Sequence, residues 1–310
     1  MRKALRCGMR HRLKLASWVV GLIVAPVWPC AAADAPVRPA EVPFKVESGN
    51  IVVDVELEPG RTLPFVFDSG LSHGNLVTPQ AAAGIGLKGD RDLDIGDATG
   101  DRHQGRLATV PKMRVGQVQL SDQPFAIVDI PEPVTTRPGK PPLAGFLGAP
   151  LMKDAVLCVD YERGRLQRWP RPGFKPRDLS VVPMKLQHEL PTLQVIIDGQ
   201  RATLIVDSGN NGAITVYPSF ARRTNFAKRY PDLAPQDVSD GSGARSSVQV
   251  AEADVVEFGP GAVFHHVPLA VIPQGMDPAW GIDGMVGYVV LSQLNPCLDR
   301  DGERFLFDAQ

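Results

Sequence analysis

The chain has 310 residues, with 33 Lys and Arg against 34 Asp and Glu, and both signs are scattered along its length. A net charge of −1 leaves no basic stripe for nucleic acid and no polybasic patch for an anionic membrane. Four cysteines are too few for a disulfide scaffold, while 30 glycines and 29 prolines mark a turn-rich chain.

The N-terminus carries Arg2, Lys3, Arg6, Arg10, Arg12 and Lys14, then an apolar run over 15–28, then Ala31-Ala32-Ala33. That order describes a cleavable secretory signal over 1–33, of bacterial type. The run is shorter than the roughly 20 residues a bilayer span needs, and no later stretch approaches that length. A periplasmic or secreted protein with no stable membrane span after cleavage is therefore expected. Cys7 and Cys30 leave with the signal, so only Cys158 and Cys297 remain, which excludes a four-thiolate zinc site.

Next comes a unit over 43–169. It starts Val42-Pro43-Phe44-Lys45-Val46, alternates apolar and polar residues, and climbs Phe65-Val66-Phe67 into Asp68-Ser69-Gly70. A proline-dense linker over 170–180 suits neither helix nor central strand. A second unit over 181–310 starts Val182-Pro183-Met184-Lys185-Leu186 and climbs Leu204-Ile205-Val206 into Asp207-Ser208-Gly209. One offset relates Asp68 to Asp207, Gly148 to Gly287, Cys158 to Cys297 and Asp160 to Asp299. Such self-similarity predicts one structural unit used twice.

Within each unit, short runs of Val, Ile, Leu and Phe are separated by Gly, Pro or Asp turns, which predicts an all-β fold. Helices are expected to be a minority, with short ones over 78–83 and 218–228 the best candidates. Two hairpin tips fall at corresponding places and are candidate flaps: Gly96-Asp97-Ala98-Thr99-Gly100 and Asp240-Gly241-Ser242-Gly243.

A lone Asp-Ser-Gly is ordinary turn composition. Both copies here follow an apolar strand and precede a β-branched segment, so each carboxyl is delivered at a strand end. If the units pack about a local two-fold axis, Asp68 and Asp207 meet.

On these residues the sequence resembles the aspartic peptidases of the pepsin and retropepsin type. The resemblance rests on Phe67-Asp68-Ser69-Gly70 with Phe146-Leu147-Gly148, and on Val206-Asp207-Ser208-Gly209 with Met285-Val286-Gly287. It implies two pseudo-symmetric β-barrel lobes about a cleft, in one chain that needs no dimer partner. It also implies an Asp68/Asp207 catalytic dyad acting on peptide or protein without cofactor or metal. Ser69 and Ser208 would brace the turns across the axis, and Gly70 and Gly209 would allow close backbone approach. Ala98, Thr99, Gly100, Gly241, Ser242 and Gly243 would belong to flaps over an extended peptide. Leu71 and Asn210 depart from the family's small residues after the tripeptide, and neither flap carries a tyrosine.

Three further readings compete. Gly70-Leu71-Ser72-His73-Gly74 matches the Gly-x-Ser-x-Gly elbow of serine hydrolases, although 75–79 reads as extended where an elbow needs a helix. A non-catalytic module holding a peptide or envelope component is the second. A zinc site is the third, and the scattered histidines give it no motif. Cys158 and Cys297 either bridge or stay as two buried thiols, and Asp160 and Asp299 read as structural turn carboxylates.

Overall fold

The structure is a computed structural model that describes residues 37–58, 60–97, 100–176, 178–239 and 245–308. The expected signal over 1–33 lies outside them, as do Ala98, Thr99, Gly241, Ser242 and Gly243 of the expected flaps. Among the described residues, no helix is long and apolar enough to cross a membrane.

The fold is all-β, with two lobes and a few short helices. Each lobe starts with a hairpin whose tight turn needs positive φ at both central positions. In the first lobe these are Ser48 and Gly49, between strands Ala40–Glu47 and Asn50–Glu58; in the second, His188 and Glu189, between Leu179–Gln187 and Leu190–Ile197. Asn50–Glu58 pairs with Arg61–Phe67, the strand that ends at Asp68, and this strand runs parallel to Gly145–Leu147. Gly145–Leu147 is antiparallel to Asn75–Val77, which runs parallel to Val118–Val128. Val118–Val128 pairs with Arg102–Val115, and that long strand returns to Asn50–Glu58, so the sheet curls onto itself. The second lobe repeats every pairing: Gln200–Val206 is parallel to Gly284–Val286, which is antiparallel to Ile214–Val216. Ile214–Val216 is parallel to Ala262–Val271, and Arg245–Gly259 returns to Leu190–Ile197.

Alternation decides which faces are buried. In Phe65-Val66-Phe67 and Leu204-Ile205-Val206 every residue is buried: Phe65, Phe67, Leu204 and Val206 belong to a core continuous through both lobes. Val66 and Ile205 face the other way, into small clusters with Leu143 and Phe146 or with Ile282, Met285 and Tyr217. The strands that deliver the two aspartates are thus covered on both sides, as near-continuous apolar runs require.

A six-stranded antiparallel sheet joins the lobes. Its order is Ala40–Glu47, Arg165–Pro170, Ala155–Asp160, Cys297–Asp299, Arg304–Asp308, Leu179–Gln187. The central pair crosses from one lobe to the other, with Cys158 opposite Cys297 and Leu157 opposite Leu298. Cys158 and Cys297 are bonded as a cystine closing 139 positions of chain. Leu179–Gln187 begins within the segment read as linker, where the 3-10 turn Arg171–Gly173 precedes it among the described residues.

The helices differ in part from expectation. Pro79–Gly84 forms with Thr78 as its cap, the Thr78 hydroxyl accepting from the Ala81 N–H at 3.2 Å. The second expected helix is broken into Pro218–Arg223 and Phe226–Arg229, because Asn225 takes a left-handed conformation that no continuous helix contains. Two further helices, Glu132–Thr135 and Tyr288–Leu294, were not read from the sequence, the latter because of its β-branched residues. Tyr288–Leu294 buries Val290, Leu291 and Leu294 on one side.

Replacing both Cys158 and Cys297 by Ala is expected to lower unfolding free energy by about 2–5 kcal/mol, because a long loop in the unfolded chain is released. Urea unfolding of wild type and the double variant, with and without reductant, checks this. Reductant should shift only the wild type.

Candidate active site

Asp68 and Asp207 stand at equivalent strand ends, each anchored by its own backbone. The Asp68 N–H donates to Leu147 O at 2.8 Å and the Asp207 N–H to Val286 O at 3.0 Å, so both turns hang on the strands parallel to them. Beyond each aspartate the chain folds back over its carboxyl. Asp68 Oδ1 accepts from the Gly70 and Leu71 N–H groups at 2.8 and 3.1 Å. Asp207 Oδ1 accepts from Gly209 and Asn210 at 2.9 and 3.2 Å. One oxygen of each carboxyl is thereby fixed.

The two turns are locked to each other by their serines, both buried. Ser69 Oγ accepts from the Ser208 N–H at 3.0 Å and donates to Val206 O at 2.7 Å. Ser208 Oγ accepts from the Ser69 N–H at 3.0 Å and donates to Phe67 O at 3.0 Å. Each hydroxyl bridges the other lobe's chain on either side of its aspartate. Glycine is required next, because a Cβ on Gly209 would stand 2.7 Å from Asp68 Cγ, and one on Gly70 would stand 3.0 Å from Asp207 Cγ.

The two carboxyls consequently hydrogen-bond one another. Each keeps a small opening to the surface yet is walled by protein. Burial, first, and the neighbouring Asp207 charge hold Asp68 well above the ordinary carboxylate range against the pull of its backbone donors. Burial also raises Asp207, while its hydrogen bond from Asp68 and its own backbone donors oppose the rise. The pair behaves as one acid that retains a proton where isolated carboxyls have lost theirs.

Around this floor the lobes differ: the Gly148 N–H is held by a side chain, the equivalent Gly287 N–H by the Ala213 carbonyl at 2.8 Å. In the first, buried Asn75 accepts from the Gly148 N–H at 3.1 Å and donates to Pro124 O at 3.1 Å. In the second, Asn210 accepts from the Gly212 N–H at 2.9 Å and donates to Thr215 Oγ1 at 3.2 Å. The sequence reading missed Asn75; its only signal was a polar residue opening an apolar strand. The Leu71 and Asn210 carbonyls serve alike, accepting from the Ala149 and Tyr288 N–H groups, each at 2.8 Å.

Of the expected flaps, Gly100 and the base of the first hairpin are described. Asp97 Oδ1 accepts from the Asp101 N–H at 3.0 Å, and Asp97 Oδ2 meets His103 Nε2 at 2.8 Å. A Cβ on Gly100 would lie 3.1 Å from Gly275 O, so the first lobe's hairpin reaches the second lobe. Ser72 is placed otherwise than an elbow nucleophile needs. Its Oγ meets the ring of the adjacent His73 at 2.5 Å, and the chain continues into strand Asn75–Val77 instead of a helix. Asp160 and Asp299 lie in the interlobe sheet as turn carboxylates. Asp299 is buried, accepting from the Gly302 N–H and from Arg171 and Arg304.

Two lobes of matching topology, meeting at paired Asp-Ser-Gly turns, define a pepsin-like architecture. The comparisons agree. Residues 53–151 match the family model Asp_protease_2, described as aspartyl protease. That segment contains the first turn and ends before the second. Among 208 matching chains of solved structures is basic 7S globulin from soybean, 12% identical, with a TM-score of 0.51 over 89% of this chain and 96% of that one. No curated protein matches the sequence. The first match likens residues 53–151 to aspartyl proteases, and the second supports the two-lobed fold.

Two consequences are measurable. Ser69→Ala and Ser208→Ala each leave a buried N–H and carbonyl unpaired and should cost about 2 kcal/mol in urea unfolding. The double variant should cost less than their sum, because both serines belong to one network. The second consequence concerns pH. Unfolded aspartate loses its proton near pH 4, whereas the folded pair keeps one to higher pH, so wild-type stability declines as pH rises through that interval. Asp68→Asn keeps only the Asp207 carboxyl that burial raises and lacks the more strongly raised Asp68, so its stability should decline less steeply than that of wild type over the same interval.

Proposed function

We propose that the protein is an aspartic endopeptidase, a single-chain duplication of a retropepsin-like unit, in which Asp68 and Asp207 activate water for attack on a peptide carbonyl. The observation that carries this reading is the close approach of two enclosed carboxyls on turns that brace one another. In the reaction the ionised member of the pair takes a proton from the attacking water. The protonated member donates a hydrogen bond to the carbonyl oxygen as negative charge gathers there. Collapse of the tetrahedral adduct breaks the C–N bond, and the amine leaves with a proton from the pair, which regains its single shared proton. Gly70 and Gly209 keep the carboxyls in contact, and the serines fix the angle between them. The hairpin that carries Gly100 covers the peptide.

Both aspartates are on one chain, which supports action as a monomer. The Cys158–Cys297 cystine and the N-terminal sequence pattern support a periplasmic or secreted location, since such bonds persist in oxidising compartments. A second reading has one observation in its favour: the structural neighbour is named as a globulin and not as an enzyme. On that reading the same cleft holds a peptide or envelope component without cutting it.

Digestion of a diverse peptide library from about pH 3 to about pH 8, read by mass spectrometry, separates these readings. The peptidase reading expects cleavage by wild type and none by Asp68→Asn or Asp207→Asn. Activity should be bell-shaped in pH, failing where the pair is fully protonated and again where its shared proton is lost. Cleavage that survives both substitutions would move the chemistry to another residue, Ser72 first.

A further inference from the structure

The two lobes repeat one another strand for strand, yet a junction that the first ties with a side chain has no such tie in the second. In the first lobe Asn75–Val77 runs parallel to Val118–Val128 from Phe125 onward, and the Asn75 side chain donates to Pro124 O at 3.1 Å. In the second, Ile214–Val216 runs parallel to Ala262–Val271 from Leu269 onward, with Pro268 in the place of Pro124 and Ile214 in the place of Asn75. An isoleucine side chain has no donor to give. Among the described residues, Ala262–Val271 pairs with Arg245–Gly259 from end to end, but on its other side only over 269–271. The edge over 263–268 is therefore open, the condition under which an extended chain adds to a sheet.

That edge forms one wall of a hollow of about 260 Å³, whose other wall is helix Tyr288–Leu294 through Val289, Val290 and Gln293. At Pro268 and Val289, which line both, it meets a larger hollow of about 470 Å³. The larger one runs beside Ile214–Val216 to Asn211 and the first lobe's Ser48-Gly49 turn, where an added Cβ on Gly49 would stand 2.8 Å from Asn211 Cβ. Asn211 follows Asn210, whose N–H donates to Asp207 Oδ1 at 3.2 Å. A groove thus leads from the turn that fixes one aspartate to an open strand edge on the second lobe. No Lys, Arg, Asp or Glu lines either hollow. Val263 and Val289, two of the few large apolar side chains left exposed, both stand in it.

The geometry points to this groove as an exosite. It holds an extended, uncharged polypeptide segment, continuous with the chain lying over Asp68 and Asp207, by backbone pairing with the 263–268 edge and apolar contact with Val263 and Val289. This rests on the reading that the cleft holds a peptide, but not on turnover. The open edge selects a polypeptide, because only a chain of amides matches its backbone groups.

A peptide cleaved by wild type is lengthened one uncharged residue at a time, first at one end and then at the other. At one end only, kcat/KM should rise about tenfold once the chain reaches the groove, as burial of one apolar side chain predicts. Val263→Asp puts a charge in the groove wall and should abolish that rise, whereas Val181→Asp on the interlobe sheet should keep it. Both valines are 48% exposed, so neither change disturbs the core. A rise that survives Val263→Asp, a rise lost equally in both variants, or a rate indifferent to length overturns the exosite and leaves the peptidase reading standing.

Capture without turnover separates the two claims. Peptides of each length are offered to Asp207→Asn protein carrying a photoreactive benzophenone on Val263→Cys, or on Val181→Cys as control. Crosslinks from the Val263→Cys position alone, to the added residues of long peptides, support the exosite even if wild type cuts nothing, which would remove only the peptidase. Crosslinks to a second copy of the chain, equal labelling from both positions, or none from either overturn it.

Discussion

Everything at the centre of this protein follows from the cost of bringing two carboxyl groups together away from bulk water. Two adjacent negative charges in a protein-walled site repel strongly, so one proton must stay between them. Such contact persists only if the surrounding chain prevents the groups from moving apart. The reciprocal Ser69 and Ser208 hydrogen bonds supply that restraint, since each hydroxyl is tied to backbone on the opposite lobe. No side chain with fewer than one donor and one acceptor could replace them, because each oxygen does both at once.

The restraint works only if the lobes keep a fixed relation to each other, and the interlobe sheet provides it. Its central strands pair residues from the two halves directly, and the Cys158–Cys297 cystine joins them covalently. Buried Asp299, held by Arg171 and Arg304, adds an ionic tie at the same sheet. From this base each lobe carries its aspartate on a strand sheltered on both faces. The aspartates sit on rigid elements, and the hairpin that carries Gly100 is built in part from exposed strand.

Much of this was legible in the sequence. The strand, the acidic turn and the later Gly-ended strand recur in order, and a repeated order constrains topology in a way that one tripeptide cannot. Strands Arg91–Gly96 and Arg102–Val115 pair on either side of the first Gly- and Asp-rich turn, whereas the hairpin turns at Ser48-Gly49 and His188-Glu189 went unread, because His and Glu are not ordinary signals of a left-handed turn. Whether the cysteines bond was left open, because that depends on strand register across the interlobe sheet. The Tyr288–Leu294 helix was hidden since its β-branched residues favour strand, and packing of Val290, Leu291 and Leu294 overrides that preference. Asn75 could not be ranked above other polar residues, because its importance comes from what lies beside it in space: burial turns an ordinary amide into a brace for Gly148.

The most direct measurement is a titration of the two side chains by carbon NMR, using protein labelled at the aspartate carboxyls and assigned through Asp68→Asn and Asp207→Asn. The account predicts that the Asp68 and Asp207 signals move together in two separated steps, the later one above the ordinary carboxylate range. Substitution of either residue should collapse the pair to a single step. Two independent titrations near pH 4, each indifferent to replacement of the other residue, would contradict the shared proton and the site built on it.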